Sequence, residues 1–130
     1  MDPNKEREIA YWEAYAKNEG ITDEGIKASA ARFRTTLDEL AANKGDNRYL
    51  LGDTLTVLDI AWFVYVNRIV LCGYPLDRLH PNLSGWFAEL QQRPEFAKEV
   101  ASPDHMLEKI KANHAAQKAA GTSLVEVAGF

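Results

Sequence analysis

Three aromatic side chains crowd one short stretch, AYWEAYAK at residues 10–17, where Tyr11, Trp12 and Tyr15 stand beside Ile9 and Ala16. On a helix these residues form a broad stripe. Such a stripe suits the wall of a pocket for an apolar ligand. It equally suits core packing or contact with another domain, and the residues alone leave these readings open. Arg68, near the end of an apolar run, suits an anion-binding group facing a ligand, a buried ion-pair partner, or simply a cation placed favourably for the helix dipole. Cys72 is the lone cysteine, and at the end of an apolar helix it reads as a small buried hydrophobe rather than a nucleophile. His80, His105 and His114 lack the i, i+3 or i, i+4 spacing of helix-borne ligands, so no metal site is expected. No Ser/His/Asp set, Gly-rich phosphate loop or basic aromatic patch stands out, and no catalytic residue is assigned.

The elements that must position these residues read as helices throughout. Asp2-Pro3 looks like a cap followed by a first-turn proline, opening a helix to about Asn18, with Gly20 as its stop. Thr22 opens a second helix, with Ile21 and Ile26 at the spacing of a hydrophobic staple. Its apolar positions Ile26, Ala30, Phe33, Leu37 and Leu40 form a narrow seam before Lys44-Gly45-Asp46-Asn47 ends it. The third helix starts at Thr56. Its hydroxyl is placed to accept from the Asp59 N–H, while the Asp59 carboxylate reaches back to the Thr56 N–H, so both residues are structural N-cap groups. Leu55 and Ile60 take the staple positions around that box. From Val57 to Cys72, 13 of 16 residues are apolar, which predicts a helix wrapped on all sides. Gly73 and Tyr74-Pro75 close it. Pro81 opens a fourth helix carrying Leu83, Trp86, Phe87 and Leu90, Arg93-Pro94 a short fifth with Phe96 and Val100, and Ser102-Pro103 a sixth that should bury Met106, Leu107 and Ile110. Gly121 ends the last, leaving an apolar tail at 122–130.

With 130 residues, the chain has room for one domain of ordinary size, here a helical domain over 1–121 followed by that tail. A net charge of −4 argues against a nucleic-acid or anionic-membrane partner. A single cysteine excludes an intrachain disulfide and, with a charged N-terminus unlike a signal peptide, fits a cytoplasmic setting. Residues 57–72 are too short and too interrupted by Asp59, Asn67 and Arg68 for a good membrane span.

Two segments, YLLGDTLTVLDIAWF at 49–63 and GYPLDRLHPNLSGWFAELQQRPEFAKEV at 73–100, together resemble the C-terminal helical domain of the glutathione transferase superfamily, most of all its bacterial members. In that family a Gly-Asp-x-x-Thr-x-x-Asp segment caps a buried central helix, here with Thr56 and Asp59, and the next segment forms the two following helices. The resemblance covers roughly residues 3–100. It implies an all-α single bundle of about five to six helices. The family's thioredoxin-like domain, which holds glutathione and activates its thiol, has no counterpart in these residues. The resemblance therefore implies no cofactor unless such a domain is supplied, and an isolated chain that is inactive. What it implies here is a wall for the electrophile pocket, drawn from Tyr11, Trp12 and Tyr15, and subunit contacts with a homodimer partner or a thioredoxin-like domain. A stand-alone docking module and a small apolar-ligand binder are the alternatives.

Overall fold

The computed structural model describes residues 2–17 and 20–130. These form eight helices: α1 (Pro3–Lys17), α2 (Asp23–Lys44), α3 (Val57–Leu71), α4 (Leu76–Leu79), α5 (Pro81–Gln91), α6 (Pro94–Glu99), α7 (Asp104–Ala120) and α8 (Leu124–Ala128). The expected all-α bundle is therefore present. Two short helices add to the anticipated count, one in the Tyr74–His80 turn and one in the tail. Asn18 and Glu19, where the first helix was expected to end, lie outside the described residues.

Local chemistry accounts for most helix starts. The Asp2 carboxylate accepts from the Asn4 N–H at 3.0 Å, and Thr22 Oγ1 accepts from the Gly25 N–H at 3.1 Å. Each satisfies a first-turn donor that has no partner inside the helix. Helices α5 and α6 open on Pro81 and Pro94, whose missing N–H costs nothing at that position. At α7 the expected Ser102 cap is not made, and the helix begins at Asp104 after an extended Pro103. Between α2 and α3 the chain turns tightly, with the Tyr49 N–H donating to the Gly52 carbonyl at 2.8 Å. Gly52 holds a φ of 146° there, a conformation that side chains disfavour.

The core lies where the second half of α2, the inner side of α3, α5 and α6 converge. Leu37, Phe63, Val66, Leu83, Leu90 and their neighbours are buried there. The Phe63 ring meets those of Phe87 and Phe96 at 5.2 and 5.1 Å between centroids, within the range of favourable aromatic pairs. Asn82 ties α5 to the end of α2 by donating to the Ala41 carbonyl at 2.9 Å.

Three expectations are corrected. Helix α3 is not wrapped on all sides: only Asp59, Phe63 and Val66 are buried, while Val57, Ile60 and Tyr65 are 78%, 49% and 53% exposed. Its inner side meets α5 and the core, and no described element covers the other. Helix α7 buries none of its residues, with Met106 exposed and Leu107 and Ile110 half-buried, because it lies along the edge of the bundle. Cys72 is exposed rather than buried, because α3 ends at the margin of the core and the thiol emerges beyond it.

Candidate functional site

An apolar cavity of about 430 Å³ lies at the C-terminal end of α3. Ile26, Ala30 and Phe33 of α2 form one wall, Ile69 and Cys72 a second, and Leu124 and Val127 of α8 a third, with Tyr11 of α1 at its edge. Ser29, Gln117 and Thr122 supply the polar groups on its lining. The volume falls within the range typical of small-molecule pockets. A neighbouring cavity of about 420 Å³ shares Cys72, Gln117 and Leu124 and adds His114, Lys118 and Glu126. Cys72 thus stands between the two, open to solutes.

The third wall exists because the tail folds back. Ser123 and Glu126 form a capping box, in which the carboxylate accepts from the Ser123 N–H at 3.1 Å. The Ser123 hydroxyl, donating at 2.6 Å, and next that bond hold the Glu126 carboxyl below the usual range. Helix α8 packs along α2, and Phe130 reaches the core. Its ring meets Tyr74 edge-on at 5.5 Å, and the Arg34 guanidinium lies 5.5 Å above its face, a cation–π distance.

Beneath Phe130 is a polar cluster that sequence reasoning missed, with Tyr74 and His80 buried and Asp38 exposed. Tyr74 Oη and His80 Nε2 are 2.7 Å apart, and His80 Nδ1 lies 3.2 Å from Asp38 Oδ1. The arrangement assigns the imidazole proton to Nδ1, donating to Asp38, and leaves Nε2 to accept from the tyrosine hydroxyl. Burial pushes Tyr74 up to about 12, reinforced by Asp38 and opposed by Arg34. Burial lowers His80 from its ordinary value, with Asp38 opposing and Arg34 adding to the shift. Both groups are neutral near pH 7, and both are buried beneath the tail. The trio resembles a proton relay in connectivity, but its tyrosine and imidazole are buried beneath the tail, and of the three only Asp38 reaches solvent. Asp38 and Tyr74 are 36 positions apart, and no spacing rule joins them.

The aromatic residues of α1 do not face one site. Tyr11 meets Trp12 edge-on at 5.2 Å, and Trp12 meets Tyr15 at 5.6 Å. Yet Tyr11 borders the cavity, while Trp12 lies on an outward groove with Lys5, Glu8, Ile9 and Glu13. Tyr15 turns toward Gly20. Arg68 is exposed on α3, away from the cavity, and forms no ion pair among the described residues. His105 is exposed, and His114 lies beside Gly73.

At the other end of α3, Asp59 is buried and accepts four hydrogen bonds. Oδ1 takes the Leu50 N–H at 2.9 Å and Trp86 Nε1–H at 3.0 Å. Oδ2 takes the Thr56 N–H at 2.8 Å and the Thr56 hydroxyl at 3.2 Å. The Thr56 hydroxyl thus donates into the carboxylate, and the Asp59 N–H meets the Thr56 carbonyl at 3.1 Å. Of the staple pair, Leu55 packs against the core while Ile60 stays half-exposed. Nothing in this arrangement is open to a substrate. Residues 23–89, just over half of the chain, match the family model described as glutathione S-transferase, C-terminal domain. No curated protein and no solved structure matches the chain.

Proposed function

The chain belongs to the glutathione S-transferase C-terminal domain family, and on that premise we propose that it is the helical half of a glutathione transferase-like protein. In this reading it contributes the apolar wall that holds an electrophilic or other apolar small molecule, together with subunit contacts. The chemistry belongs to a thioredoxin-like domain, on the same or another polypeptide. This chain's own residues bind and orient the apolar body of the ligand and keep water from it. None of them is assigned to activate a thiol. The observation that carries the reading is the cavity of about 430 Å³ walled by Phe33, Ile69, Leu124 and Val127. Burying apolar ligand surface there gains roughly 25 cal/mol per Å².

Titration with a neutral apolar dye such as Nile red tests it. One equivalent should bind, and Phe33→Asp and Val127→Asp should each weaken binding at least fivefold. Trp12→Phe, on the outward groove, should leave it unchanged. Equal binding by all variants would remove the cavity as the ligand site. Glutathione conjugation by the pure chain would overturn the assignment of the chemistry to another domain.

A second reading, a stand-alone docking module, draws support from α8. The tail packs along α2, and Phe130 is anchored between Tyr74 and Arg34. Binding of a separately expressed thioredoxin-like domain separates the two: the first reading expects a stable complex, the second none.

A further inference from the structure

We infer that the tail is an acid-released latch: when His80 takes a second proton, Tyr74 loses its hydrogen-bond acceptor, and Phe130 and α8 leave α2 together. The release is independent of the function proposed above. Its consequence for the cavity rests on that reading.

Three rings build the latch. Phe130 meets Tyr74 edge-on at 5.5 Å between centroids, and Tyr74 lies parallel to His80 at 5.8 Å. Tyr74 Oη reaches His80 Nε2 at 2.7 Å, and Asp38 Oδ1 is 3.2 Å from Nδ1. Arg34 holds the face of Phe130 from α2. With the ring proton on Nδ1, no buried side-chain nitrogen or oxygen among the described residues lacks a partner.

A second proton enters at Nε2 and turns that atom into a donor. The Tyr74 oxygen can accept it, but the tyrosine's own proton must then point elsewhere. No second partner of that hydroxyl is present among the described residues, and a buried donor left unpaired is costly. The new charge is opposed by burial and by Arg34, and favoured by Asp38. Asp38 and Arg34 of α2 and Tyr74 are the titratable groups that face the ring. Elsewhere around it, Arg68 on α3 and Asp77 and Arg78 on α4 are exposed, Glu89 on α5 pairs with Arg48, and Glu126 on α8 caps Ser123.

The tail is the cover that yields. Helix α8 has five residues, none fully buried, and a helix so short is unstable once undocked. Gly121, at φ 72°, joins it to α7 in a left-handed conformation that glycine enters and leaves freely. Moving 122–130 hydrates Tyr74 and His80 and leaves Phe63, Val66, Leu83 and Leu90 packed, a local opening rather than unfolding. The opened chain binds a proton at His80 more readily than the closed one, so opening is favoured as pH falls below about 6.5. Leu124 and Val127 leave with α8, and the cavity loses its third wall.

Hydrogen exchange of the full chain, read by mass spectrometry and divided by the intrinsic rate at each pH, tests the latch. The Val127, Gly129 and Phe130 N–H groups are bonded within the tail. Their protection should fall about tenfold between pH 7.5 and 5.0, while that of α3 and α5 holds. Asp38→Asn keeps an acceptor for Nδ1–H and removes the charge that favours the imidazolium, so release should move to lower pH. His80→Gln should leave the tail equally protected at both pH values, and Glu126→Gln should release as the parent does. If His80→Gln is unstable, the Asp38→Asn shift decides, because that side chain is exposed. A tail still protected at pH 5.0, protection of α3 and α5 lost together with the tail, or release of Asp38→Asn at or above the parent's pH would overturn the inference. Nile red affinity should fall about fivefold in step with the release. A chain that binds no dye at any pH yet releases its tail removes the ligand reading and upholds the latch.

Discussion

Trp86 Nε1 donates to Asp59 Oδ1 at 3.0 Å, across 27 positions of sequence. The bond joins the middle of α5 to the first turn of α3. The same carboxylate holds the Leu50 N–H of the preceding turn, so one side chain links three segments that no local rule brings together. Buried donors without partners cost on the order of 1–3 kcal/mol each, which explains why the site is fully paired.

Asp59→Ala should therefore cost more than a surface cap. It strands the Leu50 and Thr56 N–H groups and the Trp86 indole N–H together, for an expected loss of roughly 3–5 kcal/mol. Trp86→Phe keeps most of the ring packing and removes one donor, for about 1–2 kcal/mol. In a double-mutant cycle by urea unfolding, Trp86→Phe should cost clearly less in the Asp59→Ala background. Strict additivity would show that the indole N–H and the carboxylate do not act together.

Stability should fall at both ends of the pH range, because of the Tyr74–His80 pair. Burial lowers His80 below its ordinary 6.5, so the unfolded chain binds more protons there. The contribution is complete above about pH 6.5 and is lost as pH falls through that value toward the folded-state one. Tyr74, raised to about 12 from 10.0, keeps its proton in the folded state where the unfolded chain has lost it, so stability also declines as pH rises above 10. Urea midpoints from pH 5 to 11 check both limbs. Tyr74→Phe should flatten the alkaline limb, and an unchanged alkaline limb would assign it to other groups.

Removing residues 122–130 should uncover α2 and the face of Tyr74. The lost apolar contacts of Leu124 and Phe130 are expected to cost roughly 2–4 kcal/mol, and the shortened chain should bind apolar dye less selectively and associate more readily. Unchanged mass, solubility and urea midpoint would mean that the tail covers nothing of consequence.

Cys72 offers a probe of the cavity. It is exposed and borders both concavities, so native protein should react with one equivalent of a maleimide without denaturant. A bulky maleimide there should lower Nile red affinity several-fold, whereas N-methylmaleimide should have a smaller effect. Equal dye binding after bulky labelling would move the ligand away from Ile69 and Cys72.

Much of the architecture was legible before any coordinates. Capping signals at Asp2 and Thr22 and prolines at 81 and 94 mark helix starts because they act on the nearest turn, and the alternation of Leu83, Trp86, Phe87 and Leu90 marks one buried face. The Asp59 box was legible for the same reason, since its two partners are three residues apart. Its bonds to Leu50 and Trp86 were not, because they depend on where α5 lands.

By itself the sequence determined an all-helical chain, its main element boundaries and its family, because these follow from local hydrogen bonding and from apolar spacing along one segment. Only the tertiary structure decided which apolar residues are buried. Val57, Ile60 and Cys72 are as apolar as Phe63 and Val66, but the core reaches just one side of α3. It also decided that Tyr11 and Trp12, neighbours in sequence, look into different spaces, and that Phe130 comes to rest on Tyr74. Burial is a property of what packs against a face, and the face alone does not carry it.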